Sequence, residues 1–180
     1  MTEQEYEQQI RTYDWQSLDE LWQAIMNKNT PNWDKGKALE YLIVRTFELS
    51  GATVRYPYSV YEDGKQIEQI DGVIYYNHLS CILECKDQVE SVNFEPIAKL
   101  RSQLMRRSTT SLGCIFSMSG FTDSALTLMK TLAPQVILLW YPEEIELCLA
   151  RQDIINALIR KHRYYIEECK FNFNTSILRD

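Results

Sequence analysis

Two carboxylates and an ammonium group occur close together in the stretch "IDGVIYYNHLSCILECKD", in a pattern suited to holding a metal ion. The acids are Asp71 and Glu84, and Lys86 follows two positions after Glu84. Apolar strands normally end in turn residues, yet the second strand of this stretch ends in Glu84, Cys85 and Lys86. Hard divalent cations such as Mg²⁺ take oxygen ligands. The chemistry therefore depends on whether the fold brings these side chains to one surface.

The register of the predicted hairpin does bring them together. If the chain turns at Asn77-His78, the two strands oppose each other so that Asp71 faces Glu84, with Cβ atoms about 4.5–5.5 Å apart. Lys86 lies on the same face, because side chains alternate along a strand. Opposed carboxylates repel each other unless a cation lies between them. The alternative interpretation is a solvated strand end at which Lys86 pairs with one of the acids.

The tripeptide Glu-Cys-Lys occurs a second time, at Glu168-Cys169-Lys170. This copy ends a helical stretch, where residues i and i+2 point apart, and no preceding strand offers an opposing Asp. We interpret it as structural. Asp63-Gly64-Lys65, which has a similar composition, belongs to a turn between strands.

Helices and strands alternate along the chain and define the elements that position the site. The capping-box sequence beginning at Ser17 predicts the start of a helix, Gly51 predicts the end of the next, and Pro57 predicts an irregular strand. The predicted helices cover about 17–27, 35–50, 93–107, 122–132 and 143–169. The predicted strands cover about 52–61, 66–76, 79–86, 112–119 and 135–141. This order indicates an α/β layered fold with a mixed central sheet.

Composition is typical of one globular domain. The chain has 180 residues, 45% of them hydrophobic and 24% charged, which is enough for a sizeable core. We expect a single domain with an N-terminal helical extension (1–30), a core (31–141) and C-terminal helices (142–180). No signal peptide or membrane-spanning stretch is visible. The chain has five cysteines without a CxxC pair and only two histidines, which disfavours a zinc site. We expect the cysteines to be reduced thiols in a cytoplasmic protein.

The net charge of −6 disfavours a nucleic-acid-binding coat over the whole surface but is compatible with a local basic groove. Basic residues are unevenly distributed along the chain. One group comprises Lys99, Arg101, Arg106 and Arg107, and a second comprises Arg160, Lys161 and Arg163. The second group consists of neighbouring residues rather than residues that share a helix face, so we interpret it as a solvated helix surface.

Asp71, followed by Glu84-x-Lys86 on the next strand, resembles the PD-(D/E)xK nuclease superfamily, also called the restriction-endonuclease-like fold. The resemblance implies a three-layer α/β/α architecture with a central mixed sheet. The family's pattern includes an acid on the first core helix, and Glu40 in "GKALEYLIVRTFELSG" matches it. Glu40 lies at the edge of the apolar arc of that helix, where its carboxylate would be aimed toward the sheet; the alternative is a boundary residue whose carboxylate extends to water. The sequence departs from the pattern at Ile70, where the family carries Pro.

The stretch "GFTDSALTLMKTLAPQVILLW" looks like the Mrr-like branch of this superfamily, whose core has a similar glycine-led helix and apolar strand after the catalytic strands. Gln103 falls where that branch often carries a glutamine on the preceding helix. The resemblance covers about 32–141. No DNA-recognition domain such as a winged helix is appended, which leaves the choice of target open.

The resemblance implies a Mg²⁺-dependent DNA endonuclease, with Mn²⁺ able to substitute, acting in restriction or defence against foreign DNA. Asp71, Glu84 and the backbone carbonyl of Cys85 would hold the metal, and Glu40 would complete its shell directly or through water. Lys86 would orient or deprotonate the attacking water, or stabilise the charge that develops on the phosphate.

The helix after the hairpin carries the expected DNA contacts: Lys99, Gln103, and Arg106 or Arg107 recur at helical spacing beside its apolar face. The partner would be DNA, together with a second copy of the chain or a separate subunit that supplies target recognition. The competing interpretation is a non-catalytic nuclease-fold module for DNA binding or assembly, which the acidic net charge and the missing recognition domain favour.

Overall fold

The computed structural model describes residues 1–131 and 135–175, which form helices and strands in alternation. The helices are α1 (Glu3–Arg11), α2 (Trp15–Met26), α3 (Lys37–Leu49), α4 (Phe94–Met105), α5 (Asp123–Met129), α6 (Pro142–Arg151) and α7 (Ile155–Glu168). The strands are β1 (Thr53–Arg55), β2 (Tyr58–Glu62), β3 (Lys65–Ile70), β4 (Gly72–Tyr76), β5 (Leu79–Lys86), β6 (Ser111–Ser117) and β7 (Ile137–Trp140).

The central sheet has five strands in the order β1-β4-β5-β6-β7, antiparallel on the β1 side of β5 and parallel on the β7 side. Helices cover both of its faces. One core joins the sheet to α1, α2, α3, α6 and α7, and the other joins it to α4 and α5. This arrangement confirms the predicted α/β/α fold with a mixed sheet.

The hairpin of β4 and β5 has the predicted register, because Gly72 pairs with Leu83 and Tyr76 pairs with Leu79. The strand expected over 66–76 is wrong in one respect: it breaks at Asp71 into β3 and β4. Strand β3 leaves the central sheet and pairs with β2 in a separate two-stranded ribbon.

The strand expected over 52–61 also divides, into β1 and β2 on either side of Pro57, a residue that cannot donate a ladder hydrogen bond. The helix predicted to begin at Ser17 begins earlier, at Trp15, because the carboxylate of Asp14 accepts the backbone N–H of Ser17 and caps the helix there. Helix α1 has a capping box formed by Thr2 and Glu5.

The C-terminal helical stretch is two helices rather than one. Gln152 adopts a left-handed conformation (φ 54°) that ends α6, and Asp153 then accepts the backbone N–H of Asn156 at the start of α7. Helix α5 ends at Met129, and its predicted end at Leu132 lies outside the described residues.

Two glycines let helices approach the sheet closely from opposite faces. A Cβ at Gly72, beside Asp71, would lie 2.5 Å from Val44 Cγ2 on α3. A Cβ at Gly113 on β6 would lie 2.8 Å from Leu100 Cδ2 on α4. Both spacings are shorter than real Cβ contacts, so each glycine fixes the distance between its helix and the sheet.

Across residues 1–131 and 135–175, the helices are too short or too polar to cross a membrane. The five cysteines are free thiols, and Cys81, Cys85, Cys114 and Cys148 are buried while Cys169 is exposed.

Candidate active site

Asp71 and the end of β5 form the centre of the site. Asp71 occupies the break between β3 and β4 and is 5% exposed, while Glu84 is 1% exposed. The Oδ2 atom of Asp71 accepts the backbone N–H of Cys85 at 2.8 Å, which draws the Asp71 carboxylate to the end of β5. The structure therefore brings the two predicted acids together, and the break at Asp71 is what allows its side chain to reach Cys85.

Glu84 holds two ammonium groups. Lys86 Nζ lies 2.6 Å from Glu84 Oε1, as the alternation along β5 requires. Lys99 Nζ reaches in from α4 and lies 2.9 Å from Oε2 and 3.1 Å from Oε1. Lys99, predicted to contact DNA, is thus bound to a candidate metal ligand in this structure.

Glu40 approaches the acids from α3. Its Oε2 atom lies 2.7 Å from Lys37 Nζ, one turn earlier on the helix. Burial raises the pKa of Glu40, Lys37 lowers it, and the negative charge of Glu84 raises it again, with a raised pKa as the net result. Sequence reasoning missed Lys37, although its i,i+3 spacing from Glu40 was a usable signal.

Among the acids of the site, Asp71 has the pKa that is shifted furthest from its ordinary value. Burial, followed by the charges of Glu84 and Glu40, raises the pKa of Asp71 to about 7, against the lowering effect of the Cys85 N–H. Within the described part of the chain, its only hydrogen bond is the one from Cys85, and no ammonium or guanidinium group pairs with it. Asp71 is therefore the acid of this centre that lacks an ion-pair partner among the described residues.

Lys86 is a cation held between these acids. Burial lowers the pKa of Lys86, but Glu84 and Asp71 outweigh that effect, and the net pKa is raised. Lys86 consequently remains protonated at neutral pH in this arrangement. Of its predicted roles, charge stabilisation and water orientation suit a protonated amine, whereas proton abstraction does not.

The donor atoms fit Mg²⁺. This ion is usually bound through one or two carboxylates and keeps several waters, and Asp71 and Glu84 supply two hard oxygen ligands. In the described ranges 1–131 and 135–175, no group of three or more His, Cys, Asp or Glu side chains is arranged to hold a metal ion. The metal-binding role of Glu40 and of the Cys85 carbonyl stays a prediction.

Gln103 is buried on α4, with 2% of its surface exposed. Its amide nitrogen donates to the backbone carbonyl of Gln69 on β3, at 3.2 Å. Its Oε1 atom is buried without a hydrogen-bond partner among the described residues. Gln103 therefore joins α4 to the β2–β3 ribbon one residue away from Ile70, next to the candidate site.

Arg106 and Arg107 both pair with Glu68, a buried residue of β3 that sequence reasoning did not single out. Arg107 Nη2 lies 2.5 Å from Glu68 Oε2, and Arg106 contacts Oε1. The basic residues that were predicted to bind DNA are thus paired with carboxylates in this structure: Lys99 with Glu84, and Arg106 and Arg107 with Glu68.

The basic group at 160–163 is only in part the solvated surface that was predicted: Arg163 is exposed, but Lys161 is not. Lys161 is 1% exposed and lies 2.7 Å from Glu144 Oε1, inside the protein. The prediction is wrong for Lys161 because adjacent helical residues point in different directions, and Lys161 falls on the inner face of α7 with Leu158. The second Glu-Cys-Lys, by contrast, is an exposed helix end, as interpreted from the sequence.

Comparison with known proteins supports the fold. No protein-family model matches the chain, and no curated protein sequence matches it. The small subunit of the heterodimeric restriction endonuclease R.BspD6I is similar in structure, with a TM-score of 0.51, 12% identity, and coverage of 82% of this chain and 86% of that one.

Two further solved structures show weaker likeness. The restriction endonuclease MspJI, in complex with a 27-mer oligonucleotide, has a TM-score of 0.42 and 15% identity, with 86% of this chain and 35% of that chain covered. A protein of unknown function, AF1548, has a TM-score of 0.46 and 14% identity, with 57% of this chain and 56% of that chain covered. On the architecture of its sheet and the likeness to the R.BspD6I small subunit, the chain has a restriction-endonuclease-like fold.

Proposed function

We propose that the protein is a cytoplasmic, Mg²⁺-dependent DNA endonuclease domain of the PD-(D/E)xK type, in its Mrr-like branch, acting in restriction or defence against foreign DNA. One observation carries the proposal: Asp71 is an acid beside Glu84 whose pKa is raised by burial and then by that neighbour, and it is paired with no cation in the described part of the chain. A fold gains no stability from such an arrangement, whereas a metal-binding centre requires it.

The residues divide the chemistry of phosphodiester hydrolysis between them. A bound Mg²⁺, or Mn²⁺ in its place, supplies Lewis-acid polarisation of the scissile phosphate and lowers the pKa of a bound water. Asp71 and Glu84 would hold the ion. Lys86, protonated and 27% exposed in its side chain, stabilises the charge that develops on the phosphate and orients the attacking water. Glu40 orients that water from α3.

Helix α4 supplies the DNA contacts. The side chains of Lys99 and Arg106 are 43% and 54% exposed, so their charged groups are accessible to DNA. Each can exchange its carboxylate for a DNA phosphate, and a second cation remains beside each buried acid: Lys86 beside Glu84 and Arg107 beside Glu68. Arg107 and Gln103 are more enclosed and position α4 and the β2–β3 ribbon beneath the DNA.

Target recognition comes from a second polypeptide in this proposal. The net charge of −6 leaves most of the surface unsuited to DNA. The similar R.BspD6I small subunit belongs to a heterodimeric enzyme. By analogy, we propose that this chain works with a partner subunit or as a homodimer that places the site on its target.

A non-catalytic DNA-binding or assembly module is the second candidate. The specific observation in its favour is that both oxygens of Glu84 already contact ammonium groups. Lysines that neutralise this acid permanently would leave a nuclease fold without a working metal site.

Incubation with DNA separates the two candidates. Purified protein is mixed with supercoiled plasmid and with single-stranded DNA, in Mg²⁺, Mn²⁺ or EDTA. A nuclease cleaves in either metal and not in EDTA, and Asp71→Asn lowers the rate by about a hundredfold or more. Asp63→Asn, an acid in an exposed turn, serves as the control and retains the wild-type rate. DNA binding without cleavage under all conditions supports the module instead.

A further inference from the structure

We propose that Lys99 couples DNA binding to metal binding: it neutralises Glu84 while DNA is absent and moves to a DNA phosphate when DNA arrives, which frees Glu84 for the metal. This inference rests on the proposed function and concerns the regulation of the same site. It would restrict metal loading, and hence hydrolysis, to protein that already holds DNA.

Glu84 is a buried carboxylate that is contacted by two lysines. Its carboxylate is 1% exposed, so water does little to solvate its oxygens. Lys99 Nζ contacts both of them, at 2.9 and 3.1 Å, and Lys86 Nζ lies 2.6 Å from Oε1. Lys99 thus donates to both oxygens of Glu84. A metal ion that binds Glu84 competes with the Lys99 ammonium for these oxygens.

The two lysines differ in their freedom to leave. Lys86 belongs to β5 itself, two residues from Glu84, and its side chain is 27% exposed. Lys99 extends from a different element, α4, and its side chain is 43% exposed. Release of Lys99 exposes an ammonium group to solvent or to a ligand without moving the strand. Lys99 is thus the mobile member of the pair.

A phosphate is the natural alternative acceptor for Lys99. The ammonium group is a compact charge on a flexible stem and binds phosphate as a point charge. On the same helix, Arg106 is 54% exposed and lies two turns further on, so a DNA backbone that follows α4 would reach both cations. Once Lys99 pairs with a phosphate, Glu84 keeps Lys86 as its one cation, and together with the unpaired Asp71 it can bind a dication.

The inference can be tested by measuring affinities. If DNA takes Lys99 and the metal ion takes Glu84 from the same ion pair, each ligand must change the affinity of the other by the same factor. The first experiment titrates Mn²⁺ into DNA-free protein by calorimetry. Lys99→Gln removes the competing cation, so its Mn²⁺ affinity should be about five- to tenfold tighter than wild type. Lys99→Arg retains the competing charge and should remain close to wild type. Lys130→Gln, an exposed lysine at the end of α5, is the matched control and should not differ from wild type.

The second experiment measures the affinity of a labelled duplex by fluorescence anisotropy, with and without Ca²⁺, which takes the same oxygen ligands as Mg²⁺; any cleavage is read on a gel. Ca²⁺ should tighten DNA binding by about tenfold in the wild type and by less than about threefold in Lys99→Gln. This readout would not respond to a merely structural role of Lys99.

The outcomes distinguish this inference from the proposed function. If the wild type cleaves DNA but Lys99→Gln binds Mn²⁺ no more tightly than wild type, the coupling is wrong and the nuclease stands. If Mn²⁺ binds neither protein and no cleavage occurs, both are wrong. Glu84→Gln should abolish tight Mn²⁺ binding in either background, and its failure to do so would place the ion elsewhere.

Discussion

Two buried acids paired with lysines lie in different parts of this molecule, and their surroundings differ. Glu144, between α6 and α7, accepts hydrogen bonds from Lys161 at 2.7 and 2.9 Å, from the N–H and hydroxyl of Thr175 at 2.7 and 2.8 Å, and from the Tyr141 N–H at 3.0 Å. Lys161 also donates to the Phe173 carbonyl. Every partner in this cluster is satisfied within the protein.

The centre at Asp71 and Glu84 is arranged in the opposite way. Asp71 has a single hydrogen bond, and the lysines that pair with Glu84 have partly exposed side chains. Both regions bury carboxylates, but only the Glu144 cluster closes its charges internally. The Glu144 cluster is bonded as a structural element of the fold, whereas the carboxylate of Asp71 retains the capacity to bind a ligand that we propose for it.

The largest effect expected from this contrast is on stability at the Glu144 cluster. Lys161→Met leaves a buried carboxylate without its cation and should lower the free energy of unfolding by about 3–5 kcal/mol. Urea denaturation measures the loss. Arg163→Met, an exposed neighbour on α7, should change stability by less than about 0.5 kcal/mol. A loss below about 1 kcal/mol for Lys161→Met would remove the distinction between the two regions.

At the candidate active site, the next largest effect should fall on reaction rate instead of stability. Lys86→Ala removes a charge that acts on the transition state while leaving the metal ligands in place. Cleavage should drop by about two orders of magnitude or more, with DNA affinity within a few-fold of wild type. Lys170→Ala, in the second Glu-Cys-Lys, is the matched control. A change in affinity alone would favour the binding module.

A smaller effect concerns pH in metal-free protein. The pKa of Asp71 is about 7 in the folded state, above its ordinary value of 3.8, so the folded protein binds this proton more tightly than the unfolded chain does. The stabilisation that the folded protein gains from this bound proton is present below pH 4 and is lost as pH rises toward 7. Asp71→Asn should remove this loss and make the protein more stable than wild type by about 1–3 kcal/mol at pH 8 in EDTA.

Addition of Mg²⁺ provides the complementary measurement. The wild-type melting temperature should rise by mass action, and Asp71→Asn should show little of that rise. Denaturation at pH 5 and pH 8, with and without metal, tests both statements. An equal metal response in the two proteins would locate the ion away from Asp71.

The smallest expected effect distinguishes the two arginines that share Glu68. Arg106, with 54% of its side chain exposed, should act mainly on DNA, so Arg106→Gln should reduce the slope of log affinity against log salt by about one. Arg107 is 24% exposed and also donates to the Gln103 carbonyl at 2.6 Å. Arg107→Gln should therefore act more on stability than on that slope, and equal effects in both variants would contradict the assignment.

Structural features that depend on residues close together in the chain could be predicted from the sequence. The turn at Asn77-His78 and the alternation of side chains gave the register of β4 and β5 correctly. Asn93 caps α4 and Thr122 caps α5 as their side-chain chemistry predicts. The same alternation correctly put Lys86 on the face of Glu84.

The sequence was insufficient where partners come from distant parts of the chain. Glu68 meets Arg106 and Arg107 only because the β2–β3 ribbon folds back onto α4, and Glu144 meets Lys161 only because α6 and α7 pack together. The break at Asp71 had no local signal either, since the flanking residues favour an extended strand on both sides. At this break the Asp71 carboxylate accepts a hydrogen bond from Cys85, fourteen residues further along the chain.

The close packing of α4 against Gly113 has a consequence for how substitutions could alter this protein during evolution. A methyl group there would meet Leu100, the residue next to Lys99, at 2.8 Å, so an alanine requires the Leu100 side chain, or α4 with it, to shift. A displacement of α4 would stretch the contact between Lys99 and Glu84 without altering either residue. A single substitution on a buried strand, remote from any ligand, is thus able to adjust how readily the site accepts its cation.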